Sequence, residues 1–285
     1  MKMKRSEKLG MFTGLVVGVL LLLISVFMIF QTTCKVWGAE KPANATQQGI
    51  DVSSHQGKID WEQVKNSALA DYAIIRCGYG VNQTDKDDKY WDYNSSECER
   101  LGIPYGTYLY SGADTTAKAK SEAEHVVRLL QGKNLTYPIY YDMEADMLNQ
   151  LSSTQIGNIA KTFLNTMESY GYKNVAVYSN KYLFETKLTA SVFSDYPKWI
   201  AQHSNKCTYQ GSYHMWQYST QGVIPGISEK VDLNYKIGNW TYAGYSSAKK
   251  TVVVKPKATT IKSLRKSGKK AVKITYKKVS GVSGY

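Results

Sequence analysis

From residue 49 to residue 234 the chain alternates short strand-like runs with helix-like ones, and this alternation restricts the fold more than any other feature. Strand candidates, each rich in Ile, Val, Tyr or Trp, cover 49–53, 72–77, 104–110, 138–143, 174–179, 198–202, 213–218 and 231–234. Helical spacing fills the earlier gaps. Asp60 stands where it caps a helix through Trp61, Val64 and Leu69, and 90–101 reads as a second helix. A third, 115–130, carries Ala119, Ala123, Val126, Val127 and Leu130 on one face. A fourth, 153–170, carries Ile156, Ile159, Ala160, Phe163, Leu164 and Met167, and 181–188 is a short fifth. Gly102 and Gly171 each follow a helix, where a left-handed residue is expected. Strand–helix alternation predicts an α/β fold with a parallel sheet, and eight strands predict its closure into a (β/α)8-type TIM barrel. The last three strands lie too close for full helices between them, so the barrel is expected to be irregular. An open doubly wound sheet is the alternative, and no glycine-rich phosphate loop favours it.

Charge divides the chain by region. The whole carries +13, but residues 1–40 hold +3, residues 249–285 hold +12, and 41–248 hold −2. A near-neutral body gives no basic groove for a phosphate backbone, so no nucleic-acid partner is expected. Lys2, Lys4, Arg5 and Lys8 make 1–10 a basic segment, read as cytoplasmic. The apolar run 11–30 matches roughly 30 Å of hydrocarbon, as a transmembrane anchor or a signal segment. Either places the body outside the membrane, extracellular or at the cell surface. Residues 31–47 read as a linker, 48–243 as the barrel, and 244–258 as a second linker. In 259–285, two alternating runs flank a turn at Lys266-Ser267-Gly268-Lys269, as in a partial β-sandwich whose remainder the chain does not reach.

Cys34, Cys77, Cys98 and Cys207 lack metal-ligand spacing. A disulfide among Cys77, Cys98 and Cys207 and buried free thiols both stay open. His55, His125, His203 and His214 are scattered, without a Ser or Cys nucleophile motif, and read as structural or exposed. No metal site or cofactor is expected.

Acidic residues at strand ends carry the chemical signal. In Tyr140-Tyr141-Asp142-Met143-Glu144 the period of two puts Tyr140, Asp142 and Glu144 on one face and Tyr141 and Met143 on the other. Two acids on one face of an apolar strand are costly unless they meet solvent, a partner or a substrate. Asp51 and Asp232 occupy two further expected C-terminal strand ends, and the first and eighth strands of a closed barrel are neighbours. Clustered carboxylates suit glycoside hydrolysis, where one holds a proton near neutral pH and another stays ionised. Taken singly, each acid also fits a salt bridge or a turn, with Arg76 as the structural partner of Asp51 or Asp232. Tyr79, Tyr108, Tyr110, Tyr178, Trp199, Trp216 and Tyr218 lie at or near strand ends, where they serve as core or as sugar-stacking surface.

These segments are similar to a known family. Gly49-Ile50-Asp51-Val52-Ser53-Ser54-His55-Gln56-Gly57 with Asp60-Trp61, then Ile74-Ile75-Arg76-Cys77-Gly78-Tyr79-Gly80 and Gly102-Ile103-Pro104-Tyr105-Gly106, resemble a glycoside hydrolase family 25 lysozyme. So do Tyr140-Tyr141-Asp142-Met143-Glu144, Trp199-Ile200-Ala201, Trp216-Gln217-Tyr218 and Val231-Asp232-Leu233-Asn234, in order over 49–236. The resemblance implies cleavage of the β-1,4 bond between N-acetylmuramic acid and N-acetylglucosamine on an irregular barrel, with peptidoglycan glycan strands as partner. By it, Glu144 is the general acid/base and Asp142 orients the substrate N-acetyl group, the internal nucleophile of a retaining reaction. A protein nucleophile is the competing scheme. Asp51 and Asp232 complete the acidic floor, and Tyr79, Tyr110, Tyr178 and Gln217 bind substrate. Cys77 and His203 depart from the pattern, standing where the family carries a small residue and an aromatic. The 259–285 segment resembles the opening of a fibronectin type III module, with Tyr276 in place of the usual Trp. The basic tail suits anionic wall polymers, and 11–30 a membrane. A non-catalytic wall-binding or adhesin protein on the same scaffold is the alternative, against which the presence of all four acids argues.

Overall fold

The computed structural model of the chain describes residues 39–241, 261–266 and 272–276. The expected segments 1–10 and 11–30, residues 31–38 of the first linker, the second linker 244–258 and residues 267–269 of the expected turn at 266–269 lie outside the described residues. Among the described residues no helix is long and apolar enough to cross a membrane.

Eight strands close a barrel: β1 Ala45–Val52, β2 Tyr72–Tyr79, β3 Tyr105–Tyr110, β4 Ile139–Asp142, β5 Val175–Asn180, β6 Lys198–Ala201, β7 Met215–Gly222 and β8 Val231–Ile237. β1 therefore begins inside the expected 31–47 linker. Six α-helices lie between the strands: α1 Trp61–Ser67, α2 Trp91–Leu101, α3 Thr116–Leu129, α4 Ser153–Ser169, α5 Lys181–Thr186 and α6 Val192–Asp195. Among the described residues none falls between β6 and β7 or between β7 and β8. Local chemistry accounts for the helix starts. Asp60 accepts from the Gln63 amide at 3.1 Å and Thr115 from the Lys118 amide at 3.3 Å, satisfying donors that have no partner within a first helical turn. Gly102, at φ 67°, supplies the left-handed end of α2.

The expectation of a parallel sheet holds from β1 to β7 and fails at β8, which runs antiparallel to both β7 and β1. Only residues 223–230 join β7 to β8. A parallel return needs a crossover of about a dozen residues or more, whereas a short loop reverses the chain directly.

Two apolar layers hold the barrel. Inside, Tyr72, Ile74, Tyr140, Tyr178, Trp199 and Met215 pack together. Outside, Tyr141 stacks on Phe163 of α4 with ring centroids 3.8 Å apart, so Tyr140 and Tyr141 take opposite faces as the alternation predicts. Each such buried ring contributes about 1.5–3 kcal/mol. Tyr72 stacks on Tyr137 at 4.4 Å, and a Cβ at Gly49 would run into the Tyr72 ring, so β1 needs glycine at this crossing. His214 is buried against Tyr140 (3.1 Å), and burial pushes its imidazole down to about 3.

The C-terminal unit is separate. Its described residues form two antiparallel strands, β9 Ile261–Lys266 and β10 Val272–Tyr276, with Val272 opposite Lys266.

Candidate active site

The acids gather at one mouth of the barrel. Asp51 lies near the end of β1, in register with Ile74 on β2 and with Asp232 on β8. Asp142 ends β4 and is flanked in register by Tyr110 on β3 and Tyr178 on β5. Glu144 follows two residues later, beyond the point where Met143 N donates to Tyr178 O at 2.9 Å. Asp232 was expected at the C-terminal end of its strand. It is the second residue of β8, and it reaches the same mouth because β8 runs in reverse. A cavity of about 60 Å³ opens there, lined by Asp51, Tyr108, Asp142, Glu144, Tyr178, Trp199, Gln217 and Asp232.

A directional hydrogen-bond network supports the acids from beneath. Trp199 Nε1 donates to Asn234 Oδ1 at 2.8 Å, and since an indole nitrogen only donates, this fixes which way the Asn234 amide faces. Asn234 Nδ2 then donates to Asp51 Oδ2 at 2.7 Å. Gln217 Nε2 donates to Asp51 Oδ2 at 3.0 Å and Asp232 Oδ2 at 3.2 Å. Gln217 Oε1 accepts from the Tyr178 hydroxyl at 2.9 Å and faces His203 Nε2 at 3.0 Å.

Burial, followed by mutual repulsion, makes the cluster retain protons. Burial and then the Asp232 charge push the Asp51 carboxyl well above the ordinary carboxylate range, against the Asn234 and Gln217 donors. Burial, then Glu144 and Asp51, push Asp142 well up, while Arg76 pulls it down. Glu144 is raised by burial and Asp51, and opposed by the nearby Tyr178 hydroxyl and by His203. Asp232 is pushed up to about 6, chiefly by burial. Neighbouring carboxyls in one low-dielectric pocket share protons, so the cluster gives them up at higher pH than free carboxyls do. Asp142 is 3% exposed, and its Oδ1 has no hydrogen-bond partner within the protein.

Other expected residues are placed differently. Arg76 does not pair with Asp51 or Asp232: its Nε meets Asp88 Oδ2 at 2.8 Å and its Nη2 donates to Ser54 Oγ at 2.9 Å. Asp88 draws the guanidinium aside because it also accepts from the Ser54 and Tyr90 amides, both at 2.9 Å. Tyr178 and Gln217 line the cavity. Tyr79 and Tyr110, register partners at the ends of β2 and β3, lie outside its lining, and Tyr79 is exposed with Lys86 over its ring. Cys77, Cys98 and Cys207 are free thiols, so the disulfide alternative falls. His125 is buried between Gly80 O and Asp87. The roles of Asn234 and His203 were missed. The period of two puts Asn234 on the face of Asp232, a usable signal, whereas His203 lies in a loop without periodicity.

The model of glycosyl hydrolases family 25 matches residues 50–227, more than half of the chain. The chain belongs to that family. Among its relatives, the uncharacterized protein YegX of Escherichia coli strain K12 is 27% identical over 199 residues, covering 68% of this chain and 70% of that protein. The autolytic lysozyme of Clostridium acetobutylicum is 30% identical over 188 residues, 66% of this chain and 55% of that one. Among solved structures, the modular autolysin LytC of Streptococcus pneumoniae superposes with a TM-score of 0.61 at 33% identity, covering 66% of this chain and 46% of its own. The chain thus spans about half the length of these last two relatives. As a family 25 member it is a glycoside hydrolase.

Proposed function

We propose that this family 25 protein is a muramidase that cleaves the β-1,4 bond between N-acetylmuramic acid and N-acetylglucosamine in peptidoglycan. The observation that carries the reading is the cluster of Asp51, Asp142, Glu144 and Asp232 around one cavity, with burial and repulsion raising all four. Glu144, partly exposed at the rim, gives its proton to the glycosidic oxygen as the C–O bond breaks. The unpartnered Oδ1 of Asp142 is an acceptor suited to the N–H of a substrate acetamido group. That contact turns the acetamido carbonyl oxygen towards the anomeric carbon, which it attacks, forming a cyclic oxazolinium beside the Asp142 carboxylate. Water, deprotonated by Glu144, then opens the ring with net retention. Asp51 and Asp232 hold negative charge beneath the developing cation, and Tyr79, Tyr110, Tyr178 and Gln217 bind the glycan. The autolytic lysozyme and autolysin relatives support an exported role at the cell wall. Residues 11–30 serve as signal or anchor, and the basic 249–285 segment favours anionic wall polymers.

Incubating the full chain and its Glu144→Gln variant with purified peptidoglycan, with products read by mass spectrometry, tests this. Fragments ending in reducing N-acetylmuramic acid, absent with the variant, are expected. A folded wild-type protein that releases none from several walls would leave a wall-binding module instead.

A further inference from the structure

Tyr178 has one hydroxyl hydrogen, which Gln217 Oε1 accepts at 2.9 Å, and the Glu144 carboxyl lines the same cavity beside it as a second acceptor. Gln217 is 3% exposed, and both ends of its amide are committed, the nitrogen to Asp51 and Asp232. If Tyr178 turned to Glu144 with nothing else on Gln217 Oε1, a buried carbonyl would be left without a donor, which opposes the turn. His203 removes that obstacle, because its Nε2 lies 3.0 Å from the same oxygen. The start of the β6–β7 loop that carries it is held in place. Gln202 N donates to Gln217 O at 3.1 Å, Trp216 Nε1 donates to Gln202 O at 2.8 Å, and the Gln202 side chain is tied to Thr208.

We propose that His203 is a positioning residue: it keeps Gln217 Oε1 bonded, so that the Tyr178 hydroxyl passes to Glu144 when Glu144 gives up its proton. While Glu144 is protonated, Tyr178 and His203 both serve Gln217. Once Glu144 is a carboxylate it is the stronger acceptor, and Tyr178 moves to it while His203 alone holds the amide. Without an N–H donor at position 203, Tyr178 stays on Gln217 and the Glu144 carboxylate loses its hydrogen bond. Glu144 then keeps its proton to higher pH. The other groups acting on Glu144 are Asp51 on β1, Asp142 on β4, Tyr110 on β3 and Asp232 on β8, none of which the substitutions below alter. The titration is independent of the muramidase reading, while its effect on turnover rests on the proposed role of Glu144 as proton donor.

The test compares His203→Phe, which keeps a ring but no donor, with His203→Gln, which keeps an N–H donor without an imidazolium charge. In the full chain, ¹³C carboxyl NMR follows the Glu144 titration, its resonance assigned by its loss in Glu144→Gln. The Phe variant should titrate higher by about half a pH unit or more, and the Gln variant should recover most of that shift. On peptidoglycan, the alkaline limb of kcat/KM should move with it and kcat should fall about tenfold in the Phe variant, with KM little changed. An unmoved Glu144 titration in the Phe variant, or equal shifts in both variants, overturns the proposal. His203→Ala replaces the Phe variant if that one fails to fold. If the wild type cleaves nothing, the muramidase reading falls and the NMR titration still decides this one.

Discussion

Asp51 on β1 and Asp232 on β8 are residue-for-residue partners across an antiparallel ladder, with Gln217 Nε2 donating to both. Asp232 reaches this mouth only because β8 reverses, and its charge leads to a pH dependence of stability. Burial chiefly, with Glu144 adding and the Asp51 hydrogen bond opposing, puts Asp232 at about 6 in the fold. Below the ordinary carboxylate value, folded and unfolded chains both hold the proton. Between that value and about 6 only the unfolded chain releases it, and above about 6 the folded chain ionises at full cost. Stability from this group is therefore complete on the acid side and lost as pH rises from about 4 to about 6. Thermal unfolding across pH 4–7.5 should show Asp232→Asn gaining on the wild type as pH rises, by about 3 °C at the top. A constant difference would refute the shift.

Asp142 leads to a stability–activity trade-off. Its carboxyl is buried among other acids, with Oδ1 unpartnered. Asp142→Asn keeps the shape, removes a charge and offers N–H donors to neighbouring carboxylates. At pH 7 it should gain about 1 kcal/mol, or about 3 °C in Tm, and at pH 4 most of that gain should vanish. Hydrolysis should fall about 100-fold or more. Calorimetry at the two pH values, alongside an activity assay, measures both.

Trp199 acts on Asp51 through Asn234. Trp199→Phe keeps the ring that packs on Tyr140 and Tyr178 but deletes the donor to Asn234 Oδ1. The amide is then free to turn its oxygen towards Asp51. The expected result is about tenfold lower kcat/KM with about 1–2 kcal/mol of stability lost, read by kinetics and urea unfolding. Unchanged kinetics would show that Asn234 holds its orientation without the indole.

Asp88 anchors Arg76 away from the acids. Its side chain is fully buried and accepts from Arg76, Ser54 N and Tyr90 N. Asp88→Ala leaves a largely buried guanidinium unpaired and should cost about 3–5 kcal/mol. A urea midpoint within error of the wild type would contradict this.

Much of the scaffold was legible because it is local. Strand alternation around Tyr140, Tyr141 and Asp142, the apolar face of α4, and the cap at Asp60 each depend on residues a few positions apart. The gathering of Asp51, Asp142, Glu144 and Asp232 could also be expected, since strand ends in a closed barrel share a rim. Arg76 shows where such reading stops. Its pairing with Asp88, not with Asp51 or Asp232, depends on amides that α2 and the β1–α1 turn bring to Asp88.

By itself, then, the amino-acid sequence determined the eight strands, the early helices and the face on which each acid lies, because dihedral preference and side-chain period act between near neighbours. The tertiary structure alone decided that β8 runs backwards, that Trp199 orients Asn234 beneath Asp51, and that a loop histidine meets Gln217. Those relations join residues far apart in the chain, and hydrogen-bond direction exists only once both partners are in place.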